Sequence, residues 1–164
     1  MKRILPVSLL ALLILPATAF AADTDRLAPL SFLIGSWNAD GVTGSTTFER
    51  ALNNRMIIRK SWVQVPANGA TPASRHEDMM IFFPYGDHLR AAYYDSDGYV
   101  IGYEVQPKGK NHIVLISDAM QGIPRARLTY TLGDNGILAA KLETAPADKQ
   151  DAFTTVMAWN SRRR

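Results

Sequence analysis

From residue 35 onward, apolar and polar residues alternate along this chain with a period of two, the pattern of strands that bury one face. In residues 99–106 the face formed by Tyr99, Ile101, Tyr103 and Val105 is larger and more apolar than Val100, Gly102, Glu104 and Gln106, and it is assigned to the interior. Residues 125–132 split more sharply, with Ala126, Leu128, Tyr130 and Leu132 opposite Arg125, Arg127, Thr129 and Thr131. Residues 35–42, 45–52, 56–65, 77–83, 88–94, 111–118, 137–144 and 153–161 bring the series to about ten strands at the spacing of a sandwich or barrel. Asn53-Asn54, Gly86-Asp87, Ser96-Asp97-Gly98 and Pro107-Lys108-Gly109 separate several of them. These include Asn, Asp and Gly, which tolerate positive φ in tight turns. One longer stretch, 66–75, is rich in Pro, Gly, Ala, Ser and Thr, and a short helical turn is expected near Pro29.

Short consecutive turns favour an up-and-down meander, and a meander removes its exposed edges only by closing. The fold class predicted is therefore all-β, an antiparallel up-and-down barrel of about ten strands with a short N-terminal helical turn. A Greek-key sandwich needs longer crossovers, and only 66–75 and 145–150 could supply them.

The first 21 residues change where this barrel is expected to work. Lys2 and Arg3 precede a largely apolar run that ends in Ala19-Phe20-Ala21, the three-part pattern of a secretory signal with cleavage after Ala21. Pro6 and Pro16 bracket an apolar core shorter than the roughly 20 residues of a membrane span. Without cysteine there is neither a lipid-attachment point nor a disulfide framework, so a soluble periplasmic or secreted protein, not inserted in a membrane after cleavage, is expected. Removing 21 of 164 residues leaves 143, the size of one domain, assigned to residues 22–164. The formal charge of +3 falls to +1 when Lys2 and Arg3 are lost, which is no nucleic-acid signature.

Leu33-Ile34-Gly35-Ser36-Trp37 lies directly before the first strand, and Gly35-Ser36-Trp37 resembles the G-x-W signature of lipocalins and related calycin barrels. The blocks 94–100 (YDSDGYV) and 124–130 (PRARLTY), with the terminal Arg162-Arg163-Arg164, extend the resemblance to uncharacterised secreted bacterial calycin-like proteins over about residues 27–164. It implies that Trp37 closes one barrel end beneath an arginine of the last strand, Arg162 or its neighbour Arg163, with Arg162 taken as the closing residue. Guanidinium stacking on indole gives that pairing a physical reason. The resemblance carries no assigned reaction. Nitrobindin, a related barrel, binds haem through a histidine late in the chain; residues 153–161 contain none, and no haem or other cofactor is assigned.

Candidate chemistry is correspondingly sparse. His76-Glu77-Asp78 brings an imidazole near carboxylates in sequence but reads as an exposed strand start, with His76 in the loop and His88 and His112 near strand starts at a barrel rim. No G-x-S-x-G elbow occurs, Asp95 to Gly98 reads as a hairpin turn, and neither a catalytic residue nor a metal ligand is assigned. If the barrel holds a ligand, Ile101 and Tyr103 form its apolar wall, with Arg59 and Tyr93 as further candidates. Either face of 125–132 satisfies the alternation: an unpaired buried charge costs several kcal/mol, which favours the apolar face inward, whereas an inward Arg127 would anchor a carboxylate or phosphate head. The function expected is that of an exported binding protein for a small apolar or amphipathic molecule, without covalent chemistry. The alternatives are a haem-binding barrel, an enzyme using the same cavity, or an envelope interaction protein with a solidly packed interior.

Overall fold

The computed structural model describes residues 25–164. The export signal assigned to residues 1–21 lies outside them. A 3-10 turn, Ala28–Leu33, leads into ten strands: β1 Gly35–Ala39, β2 Gly44–Ala51, β3 Met56–Val65, β4 Ser74–Tyr85, β5 His88–Asp95, β6 Val100–Pro107, β7 His112–Ser117, β8 Arg125–Leu132, β9 Ile137–Ala145 and β10 Thr154–Arg163. Each pairs antiparallel with its neighbour in sequence, and β1 pairs with β10 to close the ring. The all-β, up-and-down barrel read from the alternation is the observed architecture, and it is consistent with a calycin-like fold.

The two ends of the barrel differ. The turns at 52–55, 86–87, 108–111 and 133–136 lie at the end where β1 begins, and the segments at 40–43, 66–73, 96–99, 118–124 and 146–153 lie at the other. The 3-10 turn covers the first end. Pro29 starts it with a preset φ, and it buries Leu27, Leu30 and Leu33 at 1% exposure or less. Asp25 accepts from the Leu27 N–H and pairs with Arg50 on β2 at 2.7 Å, while Arg26 donates to the carbonyls of Gly86 and His88. Those contacts strap the cap to β2, to β5 and to the turn before β5.

Trp37 sits directly beneath the cap, 1% exposed, and its indole N–H donates to the Leu33 carbonyl at 2.7 Å. The arginine over it is Arg163, with its guanidinium carbon 4.5 Å from the ring centroid and Nη1 donating to the Ile34 carbonyl at 2.7 Å. Arg162, the residue expected there, is on the outer face, exposed and 3.4 Å from Asp40. The register decides this: Trp37 lies opposite Arg163, so the neighbouring position points away from the barrel. Gly35 makes the stacking possible, since a Cβ there would overlap the Arg163 guanidinium and its φ of 128° suits only glycine.

Above this plug the core is packed by Phe48, Ile57, Met80, Phe82, Ile113 and Leu115, with Phe48 edge-on to Tyr130 at 5.8 Å. The outer faces of β2 and β8 are polar, with Ser45, Thr47 and Glu49 on β2 and Arg125, Arg127, Thr129 and Thr131 on β8 alternating with the residues turned inward, whereas β4 turns Met79, Ile81 and Phe83 outward. Truncating Trp37 to alanine is expected to lower stability by about 3–5 kcal/mol, through lost contacts and the cavity left under the cap. Chemical denaturation monitored by far-ultraviolet circular dichroism measures it, and a change below about 1 kcal/mol would show that the indole is no plug.

Candidate functional site

A cavity of about 520 Å³ runs inside the barrel from Trp37, Phe48 and Leu138 to an opening at the uncapped end. Its wall is mainly apolar, built by Ala126, Leu128, Leu138, Ala140 and Leu142 on one side and Tyr93, Ile101 and Tyr103 on another. Val42, Tyr99 and Met157 form part of the mouth while remaining 52%, 65% and 53% exposed.

The cavity has a polar floor. Arg59 on β3 donates through Nη1 to the Tyr130 hydroxyl at 2.5 Å, and through Nη2 to Asp78. β3 and β8 are five places apart in a ring of ten, so the Arg59–Tyr130 bond crosses the lumen from one wall to the opposite one. Asp78 reaches the same guanidinium from β4, where it is the diagonal neighbour of Arg59: Arg59 faces Met80, and Ser61 faces Asp78. Among the described residues, Nε of Arg59 is the buried side-chain polar atom left without a hydrogen-bond partner. Burial works against the Arg59 charge, but Tyr130 and Asp78 outweigh it and move the guanidinium further from deprotonation.

Nearer the mouth a second group gathers. Asp95 on β5 lies directly opposite Asp78, and two facing carboxylates repel unless each is compensated. Asp78 has Arg59; Asp95 accepts from the Tyr93 hydroxyl at 3.0 Å and from the backbone N–H groups of Asp97 and Tyr99 at 3.0 and 2.9 Å. Burial tends to raise the Asp95 carboxyl, but the hydrogen bonds from Tyr99, Tyr93 and Asp97 prevail and hold it below the ordinary value. Burial pushes the Tyr103 phenol up to about 12 and raises Tyr93 and Tyr130 as well, so all three remain protonated hydrogen-bonding groups near neutral pH.

His76 stands in β4, facing the mouth, rather than in the preceding loop as the sequence suggested, because the strand begins at Ser74. Strand alternation sends Glu77 to the outer face, where it pairs with Arg75, and so separates the three residues of His76-Glu77-Asp78. The imidazole Nδ1 is 3.1 Å from Asp97 Oδ2. Among the described residues, His76, Asp95 and Asp97 place one potential ligand atom each within 4.8 Å of one another, a group that could hold a metal ion. His88 and His112 open β5 and β7 at the capped end, away from the cavity.

Four residues singled out from sequence, Arg59, Tyr93, Ile101 and Tyr103, come together around this cavity. Arg127 does not. It is on the outer wall, where its Nε donates to Glu143 at 2.7 Å and its guanidinium carbon lies 4.3 Å from the Phe153 ring centroid. The apolar face of β8 turns inward, while Arg127 meets Glu143 as a direct cross-strand partner on β9. An anchor for an acidic ligand at Arg127 is therefore excluded by its position. Asp78, Asp95 and Tyr130 went unassigned. A detectable signal existed for the first, because Asp78 is a single carboxylate on the Asp78, Met80, Phe82 face and Arg59 a single cation on the Ile57, Arg59, Ser61 face. Two lone opposite charges on the core faces of adjacent strands need each other.

No model of a known protein family matches this chain, and no curated protein does.

Replacing Asp78 by asparagine keeps an acceptor oxygen but leaves the buried Arg59 guanidinium without its counter-charge, and a loss of about 3–5 kcal/mol in unfolding free energy is expected. The paired change Arg59→Met with Asp78→Leu should recover most of that loss, as a double-mutant cycle in urea would register. Outside the cavity, the Arg127 hydrogen bond lowers the Glu143 carboxyl to about 2 from an ordinary 4.5; burial opposes this and Lys141 reinforces it. A depressed folded-state value means stability that is present above about pH 4.5 and lost as the pH falls toward 2. Urea midpoints measured across that interval should fall more steeply for the wild type than for Glu143→Gln.

Proposed function

We propose that this protein is an exported, calycin-like binding protein that holds a small amphipathic molecule in its barrel without covalent chemistry. The observation that carries this reading is the cavity of about 520 Å³, whose volume is in the range of small-ligand sites and whose apolar wall is combined with a few convergent polar groups. Exposed Val42, Tyr99 and Met157 at the mouth give an apolar molecule a path inward. The interior holds this cavity beside the packing of Ile57, Phe82, Ile113 and Leu115, so an interaction protein with a filled barrel is the poorer description.

Native mass spectrometry of the protein recovered from the periplasm should detect a noncovalent adduct that dissociates on collision. Ala126→Phe, which adds a ring where Ala126 lines the cavity, should reduce adduct occupancy at least about tenfold while the circular dichroism spectrum is retained. Arg127→Leu, outside the cavity, should leave occupancy unchanged. A clean apo mass for the wild type, or full occupancy in Ala126→Phe, would refute the cavity as the ligand site.

A further inference from the structure

We infer that the ligand carries a positive charge at the end nearest the mouth: an amphipathic cation such as a long-chain amine or quaternary ammonium compound. This rests on the cavity being the ligand site and specifies what it selects. The charged residues of the lining are Asp40, Asp78 and Asp95 against Arg59, with His76 the remaining titratable histidine. Three carboxylates and one guanidinium leave the lining at −2 with a neutral imidazole and −1 with a charged one. The single guanidinium is already committed to Asp78 and Tyr130, and its remaining nitrogen, Nε, is buried. An anionic head would have to displace Asp78 from Arg59 and would then face Asp78 and Asp95 together, a repulsion strengthened by low local dielectric.

A cation meets the opposite environment. Among the described residues, Asp40 is paired with the exposed Arg162 at 3.4 Å, and Asp95 accepts its hydrogen bonds from neutral donors, so its full charge remains available to the cavity. Tyr93 and Tyr99 add aromatic surface near the mouth, with Trp159 across the lumen. Aromatic faces within about 6 Å attract ammonium groups, most strongly where water is excluded. The cavity already shows this contact once, with the Arg59 guanidinium carbon 5.7 Å from the Tyr93 centroid. An alkyl body would then extend inward along Ile101, Leu128 and Leu142, ending above the Arg59–Tyr130 strut.

The test is isothermal titration of the mature protein with decyltrimethylammonium, decanoate and 1-decanol, each below its aggregation concentration. The cation should bind at least about tenfold more tightly than decanoate and more tightly than decanol. Asp95→Asn, and separately Asp40→Asn, should each reduce the preference for the cation over decanol several-fold, and decanol binding by each variant reports that its cavity persists. Decanoate binding as tightly as the cation, equal affinities for all three, or a preference untouched by both variants would overturn the inference while leaving the cavity as a ligand site. Failure of all three probes to bind would overturn the cavity reading as well.

Discussion

Ring closure is the constraint on which the structure depends. An antiparallel meander of ten strands leaves two edges, and here both are removed by pairing the first strand with the last across nearly the whole chain. The seam is short: β1 has five residues and meets β10 at three positions, Trp37 with Arg163, Asn38 with Arg162 and Ala39 with Ser161. Side chains reinforce what the ladder lacks. Arg163 covers the Trp37 ring and bonds to Ile34, and the Trp37 N–H returns to Leu33, so the seam and the cap are fastened by one group of residues. Gly35 belongs to that group through the space it leaves, because any larger residue would push the guanidinium off the indole.

Closure creates an interior, and the interior is divided by polarity. Ile57, Phe82, Ile113 and Leu115 pack one part of it, and Trp37 and Phe48 border both that packing and the cavity. Arg59, Asp78 and Tyr130 then span the lumen as a nearly satisfied hydrogen-bonded group, and above them the space remains open. A guanidinium inside an apolar barrel is tolerated only with such partners. Its consequence for binding is that the positive charge is spent internally, while Asp95, held ionised by neutral hydrogen-bond donors, retains its charge toward the mouth.

The legible part of this protein was the part governed by local repetition. Two-residue alternation and Asn, Asp or Gly turns announced ten strands and their order, since side-chain direction in a strand follows from sequence position once register is set. The inward face of β6 was readable because its two faces differ in apolar bulk, and Ile101 and Tyr103 do line the cavity. The first strand was overextended: β1 ends at Ala39, because Asp40 bonds back to Asn160 and Gly41 turns the chain with φ of 78°. The Pro, Gly, Ala, Ser and Thr of 66–75 make His76 read as part of a loop, yet β3 supplies ladder partners for Ser74, Arg75 and His76.

By itself, then, the sequence determined the strand series, the tight turns and the glycine–tryptophan element at the start of the barrel, because each is written in neighbouring residues. Only the tertiary structure decided which arginine covers Trp37, that Arg127 pairs with Glu143 on the outer wall, and that Arg59 joins Tyr130 across the lumen. The Arg127–Glu143 pair, 16 positions apart, depends on cross-strand register, and the other two need residues 71 or more positions apart to meet when the ring closes. No periodicity within a single strand carries that information, because a charge on either face satisfies the same alternation until its partner arrives from another part of the chain.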